Sequence, residues 1–153
     1  MNELNGYDIE DLEIGMTATF SKTITEADIV LFAGASGDNN AIHINEKFAK
    51  TTVFGGRIAH GFLTASTISA AVANRLPGPG TIYMEQSMRF VGPVRPGDTV
   101  DAVVTVKELN PGKCQAVLAT VCSVDDRIVV EGEARVKTTS SARRLDRAEK
   151  ARV

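Results

Sequence analysis

Residues 60–76 read HGFLTASTISAAVANRL, and the interpretation of this stretch decides the fold. Phe62, Ala65, Ser69, Val72 and Leu76 recur at spacings of three and four, the period of an α-helix. The other faces carry Leu63, Thr67, Ala70 and Ala71, and no charged residue falls between Ile58 and Asn74. A helix with no charged face must be covered on most of its sides. Its small residues let other backbone approach closely. With His60, Gly61, Ser66, Ser69 and Asn74 in it, the run reads as a buried helix, since a membrane span wants about 20 mostly apolar residues. LPGPG at 76–80 stops it.

The cover is expected from the chain that follows. Ile82, Met84, Met88 and Phe90 alternate with Tyr83, Glu85, Ser87 and Arg89. Val100, Ala102, Val104 and Val106 alternate with Asp101, Val103, Thr105 and Lys107. Further strands are expected over Cys114–Val124 and Ile128–Val136, with a short one at Thr17–Lys22. GPVRPGD at 92–98, NPGK at 110–113 and the Asp125-Asp126 pair read as turns. Short turns imply antiparallel neighbours. One nearly uncharged helix on such a sheet is a two-layer α+β design.

Upstream, TEAD at 25–28 has the form of a capping box. The helix it opens carries Ile29, Val30, Phe32 and Ala33 and ends near Gly34 and Gly37. Asn39–Arg57 is polar and is expected to be an irregular excursion with one helical turn near Phe48. The end of the chain, from Ser140, mixes Arg and Lys with Asp and Glu and has few apolar anchors. One domain over residues 1–140 and a frayed, solvated tail over 141–153 are therefore expected.

Composition narrows the function. The 153 residues suit one domain, 43% are hydrophobic and 24% charged, and the formal net charge is −2. That charge offers nucleic acid or an anionic membrane no electrostatic attraction. No basic-then-apolar start suggests a secretory signal. Cys114 and Cys122 lie eight positions apart on one expected strand, roughly 26 Å, too far to bond to each other. Buried thiols and a cytoplasmic location are the default reading.

Candidate chemistry lies in SGDNNAIH at 36–43, which holds one of the two histidines. Asp38 and His43, at a helix end and in the loop after it, can converge as a proton-moving carboxylate and imidazole. An Asx turn at Asp38 and a hydrogen-bonded loop histidine explain the same residues. His60-Gly61 opens the uncharged helix, where free N–H groups and the helix dipole favour negative charge. A glycine there lets a carbonyl approach the peptide N–H, as an oxyanion site needs, although it equally shapes the entry of the chain. Two histidines without clustered acids or paired cysteines do not suggest a metal site.

FAGASGDNNAIHINEKFA at 32–49, followed by FGGRIAHGFLTAS at 54–66, closely resembles the MaoC-like (R)-specific enoyl-CoA hydratases. The resemblance runs from about Thr25 to Ser69 and continues more weakly through TIYMEQSMRFVGPVRPGDTV at 81–100. It implies a hot-dog fold, in which a long helix is wrapped by a curved antiparallel sheet, and a homodimer. It places the catalytic pair on Asp38 and His43, the thioester-binding N–H on Gly61 and a serine near the reaction centre on Ser69. Asn40 matches an asparagine that holds the loop, and Ala41 stands where the family has proline. Phe62 is a candidate for the wall of the acyl tunnel. The implied reaction is syn hydration of a trans-2-enoyl thioester with no cofactor, coenzyme A being the substrate's handle. An acyl carrier protein as the alternative handle, and a non-catalytic acyl-CoA-binding protein, are the competing readings.

Overall fold

The computed structural model describes residues 1–151. Its centre is a five-stranded antiparallel sheet made of β1 (Thr17–Thr23), β2 (Ile82–Phe90), β3 (Thr99–Asn110), β4 (Gln115–Val124) and β5 (Arg127–Lys137). The spatial order is β1-β3-β4-β5-β2. Against one face lies the long helix. With α1 (Glu26–Ser36), α2 (Ala41–Ile44) and α3 (Glu46–Ala49) before it, this helix is α4 (Gly61–Asn74), and it packs on β3, β1 and β4.

The uncharged helix is buried as expected, but on a different stripe. Leu63, Thr64, Ala65, Thr67, Ile68, Ala71 and Val72 are buried, whereas Phe62, Ser66 and Ser69 are exposed. The stripe thus runs through Leu63, Thr67, Ile68 and Ala71, where Val100, Ala102, Val104 and Val106 meet it from β3. The hydroxyls on the helix are satisfied locally. Thr67 donates to the Thr64 carbonyl at 2.7 Å and Ser66 to that of Leu63 at 2.6 Å. A helix that satisfies its own hydroxyls can be buried without orphaning them.

Two strand expectations need correction. β2 and β3 are not neighbours: β2 pairs with β5 and β3 with β1 and β4, so residues 91–98 cross between sheet positions instead of forming a hairpin turn. β2 also does not alternate along its whole length. A bulge between Tyr83 and Glu85 resets its register, turning Tyr83, Gln86 and Met88 inward and leaving Ile82 and Met84 exposed. The β4–β5 hairpin does turn at Asp125-Asp126, both with positive φ, 47° and 64°, as a tight twisted hairpin requires. β5 and β2 approach so closely at Gly132 that a Cβ there would lie 1.9 Å from the Ser87 carbonyl oxygen.

The capping box at Thr25 forms: its hydroxyl accepts from the Asp28 N–H, and the Asp28 carboxylate accepts from the Thr25 N–H at 2.8 Å. α1 closes at Gly37, φ 78°. The excursion holds two helical turns, not one, because Asn40 and Asn45 each cap a turn through their side-chain oxygens. Arg57 then fastens it: its guanidinium bonds Glu26 at the start of α1 and Glu46 in α3. Cys114 and Cys122 are both buried free thiols, Cys114 just before β4.

The tail is ordered where a frayed end was expected. Ser140 caps a further helix, α5 (Ser141–Lys150), and residues 152–153 of the expected tail lie outside the described residues. Its anchor is polar. Arg144 bonds both carboxylate oxygens of the buried Asp8 at 2.7 Å, and Thr139 donates to the same carboxylate at 2.6 Å. Arg144 is the main reason the Asp8 carboxyl titrates low, at about 2, against the opposing effect of burial.

Two predictions follow from this framework. Asp8 is depressed in the fold, so its contribution is fully present above the ordinary carboxylate range and disappears as pH falls toward 2. Arg144→Ala should lower the melting temperature near pH 6, and its gap from wild type should narrow between pH 5 and 2. A gap independent of pH counts against the pairing. Ala41 opens α2 with no hydrogen bond to its N–H among the described residues, and Asn40 before it sits at φ −56°, ψ 129°, a conformation proline tolerates. Ala41→Pro should therefore stabilise by about 0.4–1 kcal/mol in chemical denaturation, and a loss of stability would contradict this geometry.

Candidate active site

The site forms where the excursion after α1 meets the four residues that lead into α4. His43, on α2, is buried, and its Nδ1 donates to the Ile58 carbonyl at 2.8 Å. A carbonyl can only accept, so this bond fixes the tautomer and leaves Nε2 with a lone pair. His60 is 1% exposed, and its Nε2 donates to the Asp38 carbonyl at 2.9 Å. The two imidazoles stack with ring centroids 3.9 Å apart and planes 30° from parallel. Phe32 of α1 also packs against His60, with ring centroids 4.9 Å apart and planes tilted by 53°.

Asp38 lies just past the αL residue Gly37, and its side chain is exposed. One carboxylate oxygen accepts from the Asn40 N–H at 3.2 Å, so the Asx-type turn does form. The other oxygen has no partner among the described residues. A carboxylate oxygen of Asp38 and one nitrogen of each imidazole lie within 4.8 Å of one another. The turn and the proton-handling arrangement are therefore compatible. A metal centre fits these groups less well. Near-parallel stacked rings send their in-plane lone pairs side by side instead of toward one ion, and one nitrogen of each ring already bonds a carbonyl.

Gly61 is the first residue of α4, and its N–H has no partner among the described residues. Any side chain there would collide with Phe90, since a Cβ would sit 2.9 Å from the ring. Glycine thus keeps the N–H reachable and lets Phe90 close against the helix start. Gly61 and His43 both line a pocket of about 470 Å³. Its remaining wall is largely apolar and includes Phe54, Ile58, Phe62, Phe90, Val94 and Val130. Phe62 meets Phe90 edge to face at 5.6 Å and is itself 66% exposed.

Of the residues singled out in the sequence, Asp38 lies beside His43, and His43, Gly61 and Phe62 line the pocket, which Asp38 itself does not. Asn40 holds the loop, accepting from the Ile42 N–H at 3.2 Å. Ser69 does not join them. Eight residues along α4 it lies about 12 Å beyond Gly61. It opens instead on a separate depression of about 250 Å³ with Phe62, Ala65, Ser66, Tyr83, Gln86 and Met88. His60 is the member that sequence reasoning passed over except as the opening of the helix. Its signal was slight: it is the second of two histidines and stands next to the glycine whose N–H was singled out.

The model of the MaoC-like domain matches residues 11–139. An (R)-specific enoyl-CoA hydratase of Rhodospirillum rubrum is 54% identical over 127 residues, which are 83% of this chain and 88% of that protein. A 3-hydroxybutyryl-CoA dehydratase of Methylorubrum extorquens is 50% identical over 135 residues, 88% of this chain and 86% of that one. The unliganded R-hydratase structure from Pseudomonas aeruginosa superposes with a TM-score of 0.84 at 41% identity, covering 89% of this chain and 88% of its own. The helix-on-sheet architecture is accordingly the hot-dog fold, and with a family model spanning residues 11–139 the chain belongs to the MaoC-like dehydratase family.

Proposed function

We propose that the protein is an (R)-specific enoyl-CoA hydratase, a hydro-lyase that reversibly adds water to a trans-2-enoyl-CoA to give the (R)-3-hydroxyacyl-CoA. The observation that carries this reading is the closeness of an Asp38 carboxylate oxygen to the imidazole of His43, whose Nε2 is free, with His43 and Gly61 both lining the apolar pocket.

Water sits between Asp38 and His43. Asp38 takes its proton as the oxygen adds to the β-carbon, and that proton is passed through the free Nε2 of His43 to the α-carbon, so the water is fully accounted for. Negative charge growing on the thioester oxygen is met by the Gly61 N–H at the positive end of α4. The apolar wall strengthens that interaction by excluding water. Both proton-handling groups approach from the loop side of the substrate plane, so water and proton arrive on one face. The (R) outcome is carried over from the hydratase of Rhodospirillum rubrum. Only protons and water move, so the step calls for no redox group, and coenzyme A serves as the handle.

The active form is a homodimer in the cytoplasm. Support for the dimer comes from Phe62, 66% exposed on α4, and from the edge strand β2, where Ile82 and Met84 are 60% and 45% exposed. Ser69 lies on this same side, in the depression shared by α4 and β2. Among the described residues no helix is long and apolar enough to cross a membrane.

Crotonyl-CoA hydration, with the product passed to (R)- and (S)-specific 3-hydroxyacyl dehydrogenases, tests the reading. Oxidation by the (R)-specific enzyme is expected. Asp38→Asn and His43→Gln should each lower turnover about 10²–10⁴-fold, and the double variant should fall little further, because both act on one water. Near-native rates in these variants would refute the assignment, and a product taken only by the (S)-specific enzyme would refute the stereochemistry. Turnover of a carrier-protein thioester but not crotonyl-CoA would move the handle to acyl carrier protein, and no turnover of either would leave an acyl-CoA-binding role. In sedimentation at micromolar concentration the expected mass is that of two chains, and a monomer would remove the dimer.

A further inference from the structure

We infer that His60 is a positioning residue of this site, one ring that sets both proton-handling groups. Its Nε2–H holds the backbone carbonyl of Asp38 at 2.9 Å, and its face supports the ring of His43 at 3.9 Å. The inference rests on the hydratase reading for its kinetic consequence, but not for its geometry.

The argument starts from a cost. His60 is 1% exposed, and its Nδ1 is buried without any hydrogen-bond partner among the described residues. A buried, unsatisfied ring nitrogen is unfavourable, and an apolar side chain would fill the same space without it. The imidazole must therefore contribute something an apolar residue cannot. The contacts on its other sides say what. Nε2–H reaches across 22 residues to the one carbonyl that sits at the base of the Asp38 side chain. The ring is also packed against Phe32, tilted by 53° at 4.9 Å, and stacked with His43 at 3.9 Å, so two aromatic neighbours restrict it. His43 is then constrained twice, at Nδ1 by the Ile58 carbonyl and over its face by His60. Those two constraints fix the direction of its Nε2 lone pair.

The chemistry needs this. Asp38 is exposed and held locally only by the Ser36 hydroxyl at its N–H and by the Asn40 turn, which leaves its carboxylate on a surface loop. A misplacement of about 1 Å can cost about 10²-fold in rate, so a loop carboxylate and an imidazole that share one water need a common reference. His60 supplies it from the rigid start of α4, next to the Gly61 N–H that receives the thioester oxygen. The flat neutral ring under His43 also offers its π-face to the imidazolium that forms when His43 holds a proton.

Two variants separate the two contacts. His60→Gln keeps an N–H donor for the Asp38 carbonyl and loses the ring. His60→Phe keeps the face for His43 and loses the donor. Each folded variant should lose about 10- to 100-fold in kcat on crotonyl-CoA, with KM changed less than about threefold. A residue that only filled space would lower the melting temperature and leave the kcat of the folded enzyme unchanged. Nitrogen-15 spectra of His43 in the protein without substrate give a second readout. Wild type should show one sharp set of His43 ring resonances, and His60→Gln, which removes the stacked face but not the Ile58 carbonyl, should keep the Nδ1–H tautomer with those resonances broadened or doubled. Retention of kcat within about twofold in either folded variant, or His43 ring resonances in His60→Gln as sharp and single as in wild type, would overturn the inference. If His60→Phe fails to fold, His60→Gln decides alone. If wild type does not hydrate crotonyl-CoA, the hydratase reading fails, while the His43 spectra still decide the positioning role.

Discussion

The site depends on one tetrapeptide, Ile58-Ala59-His60-Gly61, being held still. Ala59 ties it down: its N–H donates to the Val94 carbonyl at 2.7 Å, which fastens the start of α4 to the crossing between β2 and β3. From that fixed point each residue reaches one part of the chemistry. The Ile58 carbonyl orients His43, the His60 ring bonds the Asp38 backbone, and the Gly61 N–H opens into the pocket. Groups that must cooperate within a few ångströms are thus referenced to four consecutive residues of backbone instead of to each other.

Rigidity at that point comes from the long helix behind it. α4 is buried because its side chains are small and apolar and because Thr67 and Ser66 bond their own carbonyls. Within the body each N–H is bonded inside the helix, so free N–H groups are left only in the first turn, whose Gly61 and Phe62 line the pocket. The same property that makes the helix a core element therefore concentrates its unpaired donors where negative charge is expected to grow. Gly61 is part of this balance, since Phe90 occupies the space a side chain would need.

The loop that carries Asp38 and His43 is short of apolar anchors and is held by polar ones. Asn40 and Asn45 cap its two turns, and Arg57 joins Glu26 of α1 to Glu46 of α3. Exposed ion pairs usually contribute little to stability, but a guanidinium bonded to two elements at once restricts their relative position. The far side of the fold uses the same device, with Arg144 of α5 clasping the buried Asp8.

The sequence by itself determined most of the elements and marked candidates for the chemistry. Period-3.6 and period-2 patterns located α4, β3, β4 and β5, the capping box located α1, and the resemblance to the MaoC-like hydratases singled out Asp38, His43 and Gly61. These are local signals, written within a few residues of where they act. Tertiary structure alone decided the strand order, the inward face of β2, the buried stripe of α4, the helical end of the chain, the separation of Ser69 from the pocket and the place of His60. A single bulge at Tyr83–Glu85 reverses a face, and nothing in alternation foretells it. Arg144 reads as one cation in a charged tail until the fold brings it to Asp8, 136 positions earlier. His60 reads as the residue before a helix until the chain folds back to bring the Asp38 carbonyl, 22 positions earlier, to its Nε2 and to lay His43 against its ring. Periodicity and motif spacing report on neighbours in the chain, whereas register, strand order and ring stacking are set by contacts between residues that the chain keeps far apart.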